Sequence, residues 1–182
     1  MTRRKGVSSL VALLGLALIS SAACGYALTG RANTLPPHVR LIGIPQFVNQ
    51  SSTPEIDVRL TEAVRVEFSG RGRFKIDTTE SGADAVLVAR ITNVTLIPES
   101  FADRQASRYL LIVTASVEFK DLRDNGKVLW SSPSFQARDQ YQVTSTQNST
   151  DVTALLRTDT DAMDRLAKAF ARTLVTAIME AF

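Results

Sequence analysis

Few side chains in this sequence could carry out bond-making chemistry. The 182-residue chain has one cysteine, Cys24, and one histidine, His38, so no second thiol is present for a disulfide. No further cysteine or histidine can complete a zinc site, which takes three or four ligands. The sequence has neither a G-x-S-x-G turn nor a glycine-rich phosphate loop. We therefore expect no catalytic residues, no metal and no bound cofactor.

Two weaker candidates have simpler explanations. Asp159, Asp161 and Asp164 stand close together and could suggest calcium. The EF-hand spacing, with its central glycine and terminal glutamate, is missing. Carboxylates at the start of a helix are favoured by its partial positive charge, and this is our interpretation of the cluster. His38 follows two prolines, and we interpret it as a solvated surface residue.

The surroundings of Cys24 indicate a different chemistry, the covalent attachment of lipid. Basic residues 3–5 precede an uncharged apolar run at 7–19, and four small residues lead to the cysteine. This layout predicts a signal peptide over residues 1–23. The run is shorter than the roughly 20 apolar residues that a membrane-spanning helix needs. We expect a diacylglycerol and an acyl chain on Cys24.

One feature of this segment leaves an alternative open. Lipoprotein cleavage sites usually have leucine three positions before the cysteine, where this chain has Ser21. Ordinary signal cleavage after residue 23 is therefore the alternative. Gly25, rather than an aspartate, follows the cysteine, and bacterial sorting then permits transfer to the outer membrane. We expect a lipid-anchored protein on the periplasmic side of that membrane.

The charge balance excludes one class of partner. Three of the 21 basic residues lie in the first 23 positions, which leaves 18 Lys and Arg against 18 Asp and Glu. A neutral mature chain argues against nucleic-acid binding, because that requires a basic surface to neutralise phosphates.

The first half of the mature chain predicts a tether, a strand and a helix. Residues 24–38 show no periodic apolar pattern and indicate a tether, whereas residues 39–47 are rich in β-branched side chains and favour a strand. We expect Thr53 to cap a helix with Pro54 at its first position, and Gly70 and Gly72 to end it. Its buried face should contain Ile56, Leu60, Ala63, Val64 and Phe68.

The middle of the chain predicts strands. Residues 74–76 indicate a short extended piece, and residues 85–97 a long strand. Its alternation shifts near Asn93, which suggests a bulge. We expect Pro98 to end this strand and residues 99–107 to form a polar loop.

The clearest pattern is a hairpin. Residues 108–121 alternate strictly, with Tyr109 and the following odd-numbered residues on one face. Asn125-Gly126 predicts a tight turn into a partner strand over 128–141, where we interpret Trp130 as a packing residue. The last segment predicts a helix whose apolar stripe contains Met163, Leu166, Ala167, Phe170, Leu174, Ala177 and Ile178.

This order of elements predicts the fold class. We expect an α+β two-layer sandwich, with a mainly antiparallel four-stranded sheet and two helices on one face. Residues 39–182 should form a single domain.

The predicted loop offers a possible ligand site. Phe101, an apolar residue, and Arg104 lie within it, and Arg108 immediately follows it. The guanidinium groups are either solvated or bind anionic headgroups, because their forked geometry matches phosphate.

Several short motifs, in this order, resemble the lipopolysaccharide (LPS)-assembly lipoproteins of the LptE family. The resemblance covers essentially the whole mature chain. It begins at the cysteine and ends at the clearest strand, through Cys24-Gly25-Tyr26, Leu35-Pro36, Ile44-Pro45, Phe47, Pro54-Glu55-Ile56, Ala83-Asp84-Ala85 and the strand from Tyr109.

The resemblance implies a fold and a function. The fold is two helices on a four-stranded sheet. The function is to plug and assemble a large outer-membrane β-barrel, LptD, and to contact LPS as the barrel inserts it into the outer leaflet. Phe101, Arg104 and Arg108 are then the candidate LPS contacts.

A second reading is a periplasmic adaptor domain. Residues 41–76 also resemble the β-α-β opening of TolB N-terminal and curli-secretion lipoprotein domains. The long β-meander between two helices fits the LPS-assembly family better.

Overall fold

The computed structural model describes residues 35–71, 73–102, 105–142 and 160–182, all within the compact unit Asn33–Phe182. The predicted signal peptide, Cys24 and the tether up to residue 34 lie outside the described residues. The elements in chain order are β1 Leu41–Gly43, β2 Val48–Asn49, α1 Ile56–Gly70, β3 Lys75–Asp77, β4 Ala85–Ala102, β5 Gln105–Asp121, β6 Lys127–Gln142 and α2 Thr160–Glu180.

The sheet is mixed and has six strands, in the order β3-β1-β4-β5-β6 with β2 also paired to β4. β1 is parallel to both β3 and β4, and β4, β5 and β6 are antiparallel. The α+β class and the two helices are confirmed, but the predicted four-stranded, mainly antiparallel sheet is wrong. The helix between β1 and β3 is a crossover, and a crossover connection brings the following strand back in parallel.

One face of this sheet and both helices form a single core. The odd-numbered residues of β5 from Tyr109 to Phe119 are buried, as predicted. The predicted apolar stripes of α1 and α2 are also confirmed, with Ala63 and Ala177 only partly buried at their margins. Phe170 is fully buried and makes edge-on ring contacts with Phe135 and Phe47 at centroid distances of 5.4 and 6.5 Å. Trp130 packs against Phe135, as expected of a packing residue.

The predicted cap of α1 is wrong. The helix begins at Ile56, its N-cap is Glu55 in the left-handed conformation at φ 61°, and no side chain caps it. The hydroxyl of Thr53 is buried and has no hydrogen-bond partner among the described residues. The preceding turn has its own hydrogen bonds, from the Asn49 amide to the Thr53 carbonyl (2.7 Å) and from the Ser51 N–H to the Asn49 side chain (2.9 Å). They hold Thr53 three positions before the helix begins.

The long strand β4 is partly as predicted. The bulge near Asn93 is confirmed, because the register with β5 shifts between Ile91 and Asn93. The predicted end at Pro98 and the loop over residues 99–107 are wrong, since β4 continues to Ala102 and β5 already begins at Gln105. Among the described residues, β1 and β2 pair only with the first half of β4, so β5 is its one described neighbour at Pro98, and a strand paired on one side tolerates proline.

The β5–β6 hairpin follows the prediction. Asn125 and Gly126 both have positive φ, at 52° and 74°, and the N–H of Lys127 donates to the Asp124 carbonyl at 2.9 Å. Asparagine and glycine adopt this conformation at little cost.

The packed body includes residues that the sequence analysis assigns to the tether. Leu35, within the predicted tether, belongs to the core, as does Val39 at the start of the predicted strand, and the Val39 N–H donates to the Pro36 carbonyl. Among the described residues, no helix combines the length and the apolar character needed to cross a bilayer.

Candidate functional site

The sheet has an outer face, opposite the helices, that is formed by the even-numbered residues of β5. Side chains at 110, 112, 114, 116, 118 and 120 are half-buried, whereas their odd-numbered neighbours are buried. A groove of about 390 Å³ lies on the half of this face nearer the β5–β6 turn. It is lined by residues that include Val88, Arg90, Ser116 and Lys120.

The other half of the outer face, nearer the end of the β4–β5 hairpin, contains an apolar strip made of Ile97, Leu110 and Ile112. Ile97 pairs with Leu110 across β4 and β5, and Ile112 lies two residues further along β5 on the same face. Ile97 is 44% exposed, an unusual position for a large aliphatic side chain. A continuous apolar strip at the surface indicates a contact with another apolar group.

Polar and cationic side chains surround the strip. Arg138 pairs with Ile112 and Gln140 with Leu110 across β5 and β6. The Gln140 amide donates to the Glu99 carboxylate at 3.2 Å, which links β6 to β4 across Leu110. Arg138 donates to the Gln136 side chain, and no ion pair to Arg138 or Arg108 forms within the described part of the chain. Within the described part of the chain, both guanidinium groups are therefore open to an anion.

The structure places one of the three predicted LPS contacts beside this strip. Arg108 is exposed, belongs to β5 and pairs with Ser100 and Gln142. The backbone of Phe101 pairs with Ala106 in the hairpin, but the Phe101 side chain lies outside what the structure describes. Arg104 also lies outside the described residues. The loop expected to carry these residues is instead the end of a β-hairpin.

A second polar cluster lies at the opposite end of the sheet, which we call the basal end. Here the His38 ring Nε2 lies 2.6 Å from the Asp121 carboxylate, which is buried at the end of β5. The other oxygen of Asp121 accepts from the backbone N–H groups of Arg123 and Asp124. The interpretation of His38 as a solvated residue is therefore incomplete, because its partly exposed ring holds the N-terminal segment against the sheet.

Asp84 joins the same end of the sheet to β1. One carboxylate oxygen accepts from the N–H groups of Arg40 and Leu41, both at 2.9 Å, and the other accepts from the Arg123 guanidinium. These contacts fix the residues that precede β1 against the start of β4 and the end of β5. The basal network of His38, Asp84, Asp121 and Arg123 is structural, with every carboxylate oxygen occupied.

The two buried carboxylates are held in their charged form. The N–H groups of Leu41 and Arg40 lower the pKa of Asp84 and outweigh the opposing effect of burial. Burial raises the pKa of Asp121, but the hydrogen bonds from His38 and from the Arg123 and Asp124 N–H groups outweigh it and hold that pKa below 3.8.

The acidic cluster at the start of α2 has no ligand-binding arrangement that the structure describes. Asp164 pairs with Arg59 of α1 at 2.6 Å, and Asp161 is exposed, whereas Asp159 lies outside the described residues. No group of three or more potential metal ligands occurs among the described residues. Unlike the acidic cluster, the apolar strip with its neighbouring exposed guanidinium groups could bind an amphiphilic ligand.

Sequence reasoning found part of this surface. The alternation of β5 indicated Leu110 and Ile112, but Ile97 was assigned to a strand about to end, and Arg138 lay in a strand whose outward face was not assigned. The basal network was missed because its members lie 83 residues apart in one case, His38 and Asp121. Aspartates next to strand ends, as at Asp84 and Asp121, were the available signal.

Comparison with known proteins places the chain in a family. Residues 40–178 match the model of the lipopolysaccharide-assembly family LptE. A comparison with curated proteins found no match.

Several solved structures are similar to this chain. A hypothetical protein from Chlamydia trachomatis is 10% identical, with a TM-score of 0.53 over 77% of this chain and 95% of that one. A minor lipoprotein from Acinetobacter baumannii is 13% identical, with a TM-score of 0.48 over 80% and 94% of the two chains. The rare lipoprotein B from Shewanella oneidensis is 12% identical, with a TM-score of 0.41 over 76% and 96%. With its family match over most of its length, this chain belongs to the LptE family of lipopolysaccharide-assembly proteins.

Proposed function

We propose that the protein is an outer-membrane lipoprotein, anchored by lipid on Cys24, that plugs and assembles an LptD-type β-barrel and assists LPS insertion into the outer leaflet. The family match over residues 40–178 carries this proposal. Residues 1–23 act as the signal peptide and residues 24–38 connect the anchor to the folded domain. The role is binding and assembly rather than catalysis.

The apolar strip and the arginines beside it form the surface that we assign to LPS binding. LPS presents phosphate groups beside acyl chains, so a protein that binds one molecule needs cations next to apolar side chains. Arg108 and Arg138 supply the first, and Ile97, Leu110 and Ile112 supply the second. Arg138 thereby joins Phe101, Arg104 and Arg108 as a proposed LPS contact.

The length of the sheet also supports a plug. Thirteen residue steps of β5 separate Asp121 at the basal end from Arg108, which corresponds to roughly 43 Å of extended chain. The hydrocarbon core of a bilayer is about 30 Å thick. A domain tethered at its basal end on the periplasmic side is therefore long enough to bring Arg108 to the level of the outer leaflet inside a barrel.

Titration with LPS tests the proposed contact. Arg108→Ala with Arg138→Ala should weaken LPS binding, and the weakening should grow smaller at high salt because exposed charges are screened. The matched control is Lys168→Ala with Arg172→Ala, which removes two exposed cations from α2. Arg123 is unsuitable as a surface control, because it binds Asp84 in the basal network.

The titration has a clear negative result. If the wild type and both double variants bind LPS with equal affinity and have equal melting temperatures, the surface beside the apolar strip does not bind LPS.

A further inference from the structure

The basal end of the sheet carries a row of cations that the LPS contact does not use. Lys75 opens β3, Arg40 immediately precedes β1, Arg123 follows β5, and Lys127 opens β6. We call these four residues the basal row. Since neighbouring strands lie about 4.8 Å apart, the row extends for roughly 19 Å along the end of the sheet.

Direct contacts connect the members of the row. The Lys75 N–H donates to the Arg40 carbonyl at 2.8 Å, and the Arg40 N–H donates to Asp84, which also accepts from Arg123. Lys127 pairs with Asp121 at the end of β5. The backbone of the sheet therefore fixes the spacing of the row, and Asp84 also holds the Arg123 side chain.

The side chains of the row are exposed, although the Arg123 guanidinium is also paired with the buried Asp84 carboxylate. Arg40 and Lys75 are exposed, and the side chains of Arg123 and Lys127 are 65% and 67% exposed. Asp84 and Asp121 are only 5% and 2% exposed. Asp124, the exposed carboxylate of the β5–β6 turn, lies 3.6 Å from Lys127, a pairing that solvent screens.

Two exposed aliphatic side chains flank the same turn. Leu122 is 37% exposed and Val128 is 48% exposed, immediately next to Arg123 and Lys127. Apolar side chains among cations fit a membrane interface, where the cations meet phosphate and the apolar groups enter the headgroup boundary.

The N-terminal segment enters the domain at this end. Leu35 is in the core and His38 is bound to Asp121, so the chain from Cys24 joins the sheet beside the basal row. Eleven residues from Cys24 reach at most about 40 Å. A lipid on Cys24 therefore keeps the basal end close to the leaflet that holds the lipid, a step that rests on the lipidation in the proposed function.

We propose that the basal row binds the surface of an anionic phospholipid leaflet. The occupant is the phospholipid surface itself. LPS is the alternative source of the same phosphate chemistry, and it is distinguished in the test below.

The test is vesicle sedimentation with the mature chain carrying Cys24→Ser, which keeps every described residue and lacks the lipid. It should bind vesicles of phosphatidylethanolamine and phosphatidylglycerol, bind phosphatidylcholine vesicles poorly, and lose binding at high salt. Arg40→Gln with Lys127→Gln should lower partitioning to the anionic vesicles by about thirtyfold. These changes spare the basal network, because Arg40 contributes only its backbone to it.

The matched control removes the same charges elsewhere. Arg90→Gln with Lys168→Gln also replaces one arginine and one lysine, on the outer face and on α2, and should leave vesicle binding unchanged. Equal losses in the two double variants would overturn the proposal, because net charge alone would then explain binding. So would a wild type that binds neutral and anionic vesicles equally.

A second arm uses LPS aggregates. The Arg40→Gln/Lys127→Gln variant should bind LPS as the wild type does. A parallel loss of LPS binding would assign the row to LPS and overturn the phospholipid assignment. The vesicle assay contains neither the barrel nor LPS. Its result therefore tests the phospholipid proposal even if the proposed function is wrong.

Discussion

Removing the ring of Phe170 should destabilise the domain more than any surface change. The side chain is fully buried in α2 and contacts the rings of Phe135 and Phe47 edge-on. Truncating a buried phenylalanine to alanine costs about 3–5 kcal/mol, and edge-on ring contacts contribute a further part of that range. We expect Phe170→Ala to lower the free energy of unfolding by about 4 kcal/mol. For a domain of this size that corresponds to a melting temperature lower by roughly 12 °C.

Thermal unfolding followed by circular dichroism measures this effect. Lys168→Ala changes an exposed residue of the same helix, two positions earlier, and should shift the melting temperature by only about 1 °C. Phe170→Leu retains much of the volume and should lie between the two. If Phe170→Ala and Lys168→Ala melt alike, α2 does not pack with the face described here, and the core argument is refuted.

Three further predictions concern the anchor, the basal network and β1. Cys24→Ala should release the protein from membranes or block its processing, as fractionation at high salt would show, whereas normal membrane retention would contradict lipidation. Because the pKa values of Asp84 and Asp121 are lowered by folding, their stabilisation is complete above the unfolded value of 3.8 and is lost as pH falls through the lower folded values. Acid titration of Asp84→Asn should show a smaller loss of stability over that range, and an unchanged titration would contradict the network. Gly43→Ala should destabilise the domain in urea unfolding, because its Cβ would lie 2.4 Å from the Thr79 backbone oxygen; a neutral effect would disprove that close approach.

Local sequence patterns predicted two kinds of element: strands that pair with the next strand in the chain, and helices whose apolar stripe lies within one segment. The alternation of β5, the Asn125-Gly126 turn and the stripe of α2 depend on residues within one element or one hairpin, and each was confirmed. The parallel pairing of β1 could not be predicted in this way. Strands as short as β2 and β3 show almost no periodic pattern. β2 pairs with β4 and β3 with β1, so each pairing joins segments that α1 separates in the chain.

The errors have specific physical causes. Pro98 indicates a strand end only if both sides of the strand are paired, and β5 is the one neighbour of β4 that the structure describes at that level. Thr53 has the right residue type for a cap, but the hydrogen bonds of the preceding turn place it too early. The site was predicted only in part, because Arg138 joins Ile112 through the register of β6, which no single segment reveals.

Co-purification from outer membranes tests the central proposal most directly. The full-length protein, solubilised with its membrane and isolated through an affinity tag, should carry an LptD-type β-barrel in stoichiometric amount, and depletion of the protein should reduce assembled barrel. An outer-membrane preparation in which the protein is abundant but bound to no such barrel, with barrel assembly normal in its absence, would contradict the proposed function.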